Sequence, residues 1–208
     1  HGHSHDHSHG DHGHHSHDHE HRGLAEILEI LCRAQITDGA REKAVRIFEI
    51  LAEAEAKAHG TSIEKVHFHE VGAVDSIVDI TAAAVCLDNL QIDKVIIPVL
   101  CEGSGSVRCQ HGVIPVPVPA VTAVTSKYSI PLHMTDVQGE LVTPTGAAIA
   151  AAIRTSARLP ERFVIEKTGI GAGKREYERP SLLRAMLIRE TEDGSAGDYI
   201  YKLESNID

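Results

Sequence analysis

The chain has 208 residues, 16 of them histidine, and a net charge of −10 from 20 basic and 30 acidic side chains. It has no basic run, no tryptophan and 3% aromatic residues, which argues against a nucleic-acid partner. It also has no apolar stretch near the ~18 residues of a membrane span and no secretory leader pattern.

Eleven of the histidines fall within residues 1–21, where the other ten residues are Gly, Ser, Asp and Glu. A segment without apolar side chains cannot offset its ordering entropy, so residues 1–21 are expected to be disordered and to bind metal. The remaining body is then roughly 47% hydrophobic, as in a packed globular domain. Four cysteines, Cys32, Cys86, Cys101 and Cys109, lack CxxC spacing and read as reduced, buried thiols of a cytoplasmic protein. Both ends look cut, since the chain starts inside a His-rich run and stops at Leu203–Asp208 without a cap. The expected organisation is a His-rich segment at 1–21, an α+β domain at 22–200, and the start of a further domain at 201–208.

Leu24, Ile27, Leu28 and Leu31 recur at helical spacing and predict an amphipathic helix. Thr37-Asp38 predicts the cap of a longer helix over about 40–58, which His59-Gly60 ends. Thr61 and Glu64 have capping-box spacing. A third helix is predicted from about 74 to 89, with Val74, Ile77, Val78, Ala82, Val85 and Leu90 as its buried stripe. Lys94–Leu100 reads as a strand. Short extended pieces follow at 107–109 and 113–118, where Pro115, Pro117 and Pro119 exclude a central strand. A helix is expected to begin on Pro119, a strand to cover Tyr128–His133, and a helix to start at Thr143-Pro144 and run to 153. Strand-like runs at 163–168, 182–189 and 198–203 complete the chain. Helices first, then mixed segments, then strands predict an α+β fold with short strands.

Three places carry chemistry. His67, His69 and Glu70 precede Asp75 and Asp79, which share a helix face at i and i+4, and Cys86 falls on the same stripe. If 67–69 is extended, both imidazoles point to one side, and two imidazoles with two or three carboxylates suit a first-row metal. The competing interpretation is a set of polar residues bordering a buried helix, with Asp75 favoured by the helix dipole. Cys109 and His111, two apart, are weaker metal ligands, since a cysteine in such a place also serves as a small hydrophobe. The helix start at Thr143, Thr145 and Gly146 is a candidate phosphate contact, or an ordinary capped helix. Gly169–Arg175 is not a P-loop: Thr168 stands where the first glycine belongs and Arg175 replaces the Ser/Thr, so a glycine-rich hairpin turn is expected.

Three runs together resemble one family. They are Val66–Asp79 (VHFHEVGAVDSIVD), Cys109–Pro117 (CQHGVIPVP) and Gly139–Ala148 (GELVTPTGAA). The chain resembles the LarC family of nickel insertases over essentially its whole length. The resemblance implies nickel insertion into pyridinium-3,5-bisthiocarboxylic acid mononucleotide by a CTP-dependent cyclometallation, a chelatase reaction of the lyase class. The product is the nickel-pincer cofactor of lactate racemase-type enzymes. It also implies that CTP, with a divalent metal, binds through a C-terminal domain beyond this chain, and that an acidic, Gly-rich N-terminal segment is absent.

On chemical grounds, His67, His69 and Glu70 are expected to ligate nickel transiently and remove a proton. Asp75 and Asp79 would orient the imidazoles, Cys109 and His111 are reserve ligands, and Thr143, Thr145 and Gly146 would hold the mononucleotide. The expected partners are nickel and the small-molecule mononucleotide, with homo-oligomerisation left open. The alternatives are a non-catalytic nickel or zinc metallochaperone or store, and a scaffold for oligomerisation only.

Overall fold

The computed structural model describes residues 23–66, 68, 74–92, 94–109, 112–175, 177 and 180–191, and the backbone of 199–205. The His-rich tail, His67, His69, Glu70 and His111 lie outside the described residues.

Helix α1 (Leu24–Arg33) buries Ile27 and Leu31, and the Glu26 carboxylate accepts from the Gly23 N–H at 3.0 Å. Helix α2 (Asp38–His59) is capped by Thr37, whose Oγ1 accepts from the Ala40 N–H at 3.2 Å. It stops at Gly60, whose φ of +64° suits a residue without Cβ. Helix α2 is central, touching α1 and three later helices: α3 (Val74–Asn89), α4 (Pro119–Lys127) and α5 (Pro144–Ile153). Its Ile47, Phe48, Ile50 and Leu51 are buried in the main core, where Phe48 meets Phe68 edge-on at 6.5 Å between ring centroids.

The strands form three small sheets. The largest has the order β1-β8-β7-β6, built from β1 (Lys94–Ile96), β6 (Phe163–Ala172), β7 (Leu182–Glu190) and β8 (Tyr199–Ser205). Strand β1 runs parallel to β8, while β6–β7 and β7–β8 are antiparallel. Strand β8 runs through the expected boundary at 200, and residues 201–205 pair within this sheet. Strands β2 (Leu100–Ser104) and β5 (Leu132–Gln138) form a parallel pair, and β3 (Ser106–Cys109) and β4 (Gly112–Pro115) a hairpin. The fold is α+β, as its element order predicts.

Several local expectations are corrected. The expected strand at 94–100 is two strands, because Pro98 cannot donate to a ladder; β1 ends at Ile96 and β2 begins at Leu100. The strand placed at 128–133 starts at Leu132, because Tyr128 caps α4 and Ser129 turns with φ +51°. The short 3₁₀ turn Ile63–Lys65 is entered from Ser62 with no side-chain cap, so Thr61 and Glu64 form no capping box. Gly169–Ala172 continue β6, and the turn begins at Gly173, whose N–H donates to the Ser181 carbonyl at 2.8 Å.

The buried stripe of α3 is Ile77, Ile80 and Ala84, whereas Val74, Val78, Ala82, Val85 and Leu90 are exposed. The helix is apolar on two sides, so periodicity could not say which side meets α2. No disulfide joins the cysteines among the described residues, but Cys32 and Cys86 are exposed and Cys101 and Cys109 half-buried, so the expected burial of all four is corrected.

Asp88 ties α3 to α2. It accepts from Lys43 Nζ at 2.9 Å and from the Thr37 hydroxyl at 2.6 Å. The hydrogen bond from Lys43, followed by that from Thr37, holds its carboxyl below the ordinary carboxylate range. A depressed pKa stabilises the fold above the unfolded-state pKa, and that contribution is lost as pH falls through the folded-state value. Asp88→Asn is therefore expected to lower the melting temperature at pH 7, with the gap from the parent closing below the ordinary carboxylate range. Thermal melts across pH check this; a gap that persists in acid would contradict it.

Candidate functional site

Residue Glu102 of β2 organises the region where the strands meet α5. It is fully buried, and its Oε1 accepts three backbone N–H bonds, from Gly103 (2.8 Å), Leu141 (2.8 Å) and Val142 (3.1 Å). Its Oε2 is buried without a hydrogen-bond partner among the described residues. The carboxylate thus fastens the Gly139–Val142 loop to β2. Gly103 permits the approach: a Cβ there would lie 1.9 Å from the Gly139 carbonyl oxygen. Gly139 itself has φ +118°.

From this loop the chain enters α5. Thr143 Oγ1 accepts from the Gly146 N–H at 3.1 Å, and the Thr143 carbonyl accepts from the Ala147 N–H. Pro144 has no N–H, so Thr145 keeps the uncommitted backbone donor of this first turn among the described residues.

The 140–146 segment separates two clefts. The first, about 400 Å³, lies between the end of α2, the β3–β4 hairpin and the start of α4. Its polar walls are Glu55, His59, Arg108, Cys109, Glu140 and Arg175. The second, about 410 Å³, is largely apolar and runs between α5 and the β6–β7 turn; Thr143 and Gly146 line it together with Gly171 and Ser181. Both volumes lie in the ~300–1,000 Å³ range of small-molecule sites.

In the first cleft, Glu55 and His59 sit one helical turn apart with 3.4 Å between carboxylate and imidazole. Arg175 Nη1 lies 3.3 Å from Glu140 Oε2, and the Tyr177 hydroxyl donates to the Glu140 carbonyl at 2.8 Å. Hydrogen bonding with Tyr177, then the Glu140 charge, raises the Arg175 pKa against the opposing effect of burial. Arg108 is exposed, and its side chain makes no hydrogen bond or ion pair among the described residues.

Of the expected site residues, Cys109 lines the first cleft, and Thr143 and Gly146 the second. Asp75 and Asp79 share the exposed side of α3 with Cys86. No group of three or more His, Cys, Asp or Glu side chains is poised for a metal among the described residues. Glu55, His59, Glu102, Arg108, Glu140 and Arg175 were not expected. Glu140 lies inside the Gly139–Ala148 run, and Arg175 closes the glycine-rich stretch, but no local spacing joins them to His59.

No helix among the described residues is long and apolar enough to cross a membrane. No solved structure matches the chain. It is similar to the pyridinium-3,5-bisthiocarboxylic acid mononucleotide nickel insertion protein of Alkaliphilus metalliredigens, 56% identical over 169 residues, covering 81% of this chain and 40% of the relative. The proteins of the same name from Acetivibrio thermocellus (44% over 187 residues; 90% and 46%) and Clostridium acetobutylicum (45% over 185 residues; 89% and 43%) are also similar. The chain thus spans less than half the length of these relatives. Residues 3–208 match the family described as nickel insertion protein, and at these identities the chain belongs to that family.

Proposed function

We propose that this chain is part of a chelatase that inserts Ni²⁺ into pyridinium-3,5-bisthiocarboxylic acid mononucleotide to give a nickel-pincer cofactor. The observation that carries this beyond family membership is the first cleft, where a thiol (Cys109), an imidazole (His59) and carboxylates (Glu55, Glu140) line one wall system with two guanidinium groups. Thiol and imidazole suit nickel, and guanidinium groups suit a polyanionic substrate.

In the reaction, the two substrate sulfurs bind the ion. The bond from hydrogen to the ring carbon between them then breaks as the nickel–carbon bond forms. The proton passes to a protein base and nickel remains divalent. A bound metal polarises that C–H bond, and a carboxylate or imidazole within reach takes the proton. His67, His69 and Glu70 are assigned to transient nickel ligation and proton removal, with Asp75 and Asp79 orienting them. Cys109 and His111 are assigned as reserve ligands. Thr143, Thr145 and Gly146 are assigned to contact the mononucleotide. The His-rich segment 1–21 gathers nickel, and the body passes it on. CTP with a divalent metal, a cytoplasmic location, and division into segments 1–21, 22–200 and 201–208 belong to the same proposal.

The rival is a metal store, which needs only the tail. Nickel titration of residues 23–208 separates the two. Insertion predicts tight binding that survives loss of the tail and falls at least tenfold in Cys109→Ser and in the His67→Ala/His69→Ala pair, since even outer-shell losses cost ~10–100-fold. Disappearance of all tight binding with the tail would overturn the proposal in favour of a store.

A further inference from the structure

The substrate of the proposed reaction carries a phosphate as well as two thiocarboxylates, and something must hold that charge while the ring is metallated. The start of α5 is poorly equipped to do so alone. Pro144 has no N–H and the Gly146 N–H is spent on Thr143, which leaves Thr145. The neighbouring cleft has what α5 lacks. Arg108 projects from β3 with no partner among the described residues, and Arg175 enters from the turn after β6.

Arg175 is held in place. Its guanidinium meets Glu140, whose side chain is 11% exposed, and the Tyr177 hydroxyl binds the backbone of the same residue. The Tyr177 ring lies against Gly139, where a Cβ would come within 3.3 Å of it. Gly139 in turn packs on Gly103 of β2, and Glu102 secures Leu141 and Val142, the two residues after Glu140. The position of Arg175 is thus fixed from the buried strand outward, while much of its side chain stays exposed, at 64%. The Glu140 carboxylate and the Tyr177 hydroxyl together leave donors of its five-donor fork for a second anion. Cys109 neighbours Arg108 in sequence and lines the same cleft, so a phosphate held by the two arginines lies beside the proposed nickel ligand.

We propose that Arg108 and Arg175 are the specificity-determining residues that recognise the 5′-phosphate of the pyridinium mononucleotide, with Glu140 and Tyr177 as positioning residues for Arg175. This rests on the nickel-insertion reading for the identity of the substrate, but not for the test. The probe is nicotinic acid mononucleotide, a carboxylated pyridinium mononucleotide, compared with its riboside, which lacks the phosphate. Binding to the 208-residue chain is measured by calorimetry without nickel.

The chain is expected to bind the mononucleotide about 10- to 100-fold more tightly than the riboside, the range of charge-assisted hydrogen bonds. Arg108→Gln/Arg175→Gln brings mononucleotide binding down to the level of the riboside, and Arg108→Lys/Arg175→Lys restores part of the preference. Tyr177→Phe lowers the preference through Arg175 alone and has no further effect in Arg175→Gln. Should the double variant fail to fold, the exposed Arg108→Gln carries the test with an expected loss of about tenfold. A parent that does not discriminate the two probes, or a folded variant that discriminates as well as the parent, overturns the assignment. Phosphate selectivity in a full-length protein that transfers no nickel in the presence of CTP would overturn the insertion reading and leave this one standing. Nickel transfer that is indifferent to both arginines would do the reverse.

Discussion

Glu102→Ala is expected to destabilise the protein by about 3–5 kcal/mol. Three backbone donors lose their common acceptor, and a buried donor left unpaired costs ~1–3 kcal/mol. At about 2–4 °C per kcal/mol for a chain of this size, the melting temperature falls by roughly 6–20 °C. The damage is expected to centre on the Gly139–Val142 loop, since two of the donors belong to it. Hydrogen exchange should therefore show Leu141 and Val142 losing protection ahead of α2. Glu102→Gln keeps an oxygen for the three donors and should recover most of the loss. A Glu102→Ala melt within about 2 °C of the parent would mean that this carboxylate does not anchor the loop.

Phe68→Ala is the second large effect. Phe68 is 2% exposed and packs edge-on against Phe48 of α2. Truncating a buried phenylalanine removes its transfer free energy and leaves a cavity, together about 3–5 kcal/mol. Phe68→Leu retains much of the volume and should cost about 1.5 kcal/mol or less. Urea denaturation measures both: the midpoint should move strongly for alanine and weakly for leucine, with an unchanged slope. Equal small shifts would mean that the Phe48–Phe68 contact contributes little. The position is also functionally placed, because Phe68 lies between two histidines assigned to nickel. Phe68→Ala should weaken nickel binding by residues 23–208 without removing a ligand.

Much of the fold was legible because its signals are local. Thr37 and Thr143 are caps, Gly60 a stop, and Pro119 and Pro144 helix starts, and each occupies the predicted role. These residues act through their own backbone geometry or through N–H groups within three residues, so chain order suffices to find them. The errors lie where a local pattern allows two outcomes. Helix α3 carries apolar residues on both sides, and only contact with α2 selects Ile77, Ile80 and Ala84 for burial. Within Lys94–Leu100, Val95, Ile96 and Ile97 are β-branched, and the effect of Pro98 depends on which ladder the strand joins.

For the candidate site the division is sharper. Sequence alone determined the α+β class and, through three long runs, the family. Those properties depend on residue types and their order. Tertiary structure decided which polar groups share a cleft. Glu55 and His59 come from α2, Arg108 and Cys109 from β3, Glu140 from the loop before α5, and Arg175 from the turn after β6. These residues span more than a hundred positions, and no periodicity links them. They meet because α2 packs against both α4 and α5, and because Glu102, buried on β2, binds the backbone some forty residues ahead of it. A buried carboxyl group draws on whatever backbone donors the fold presents, and that requirement has no signature in the local order of residues.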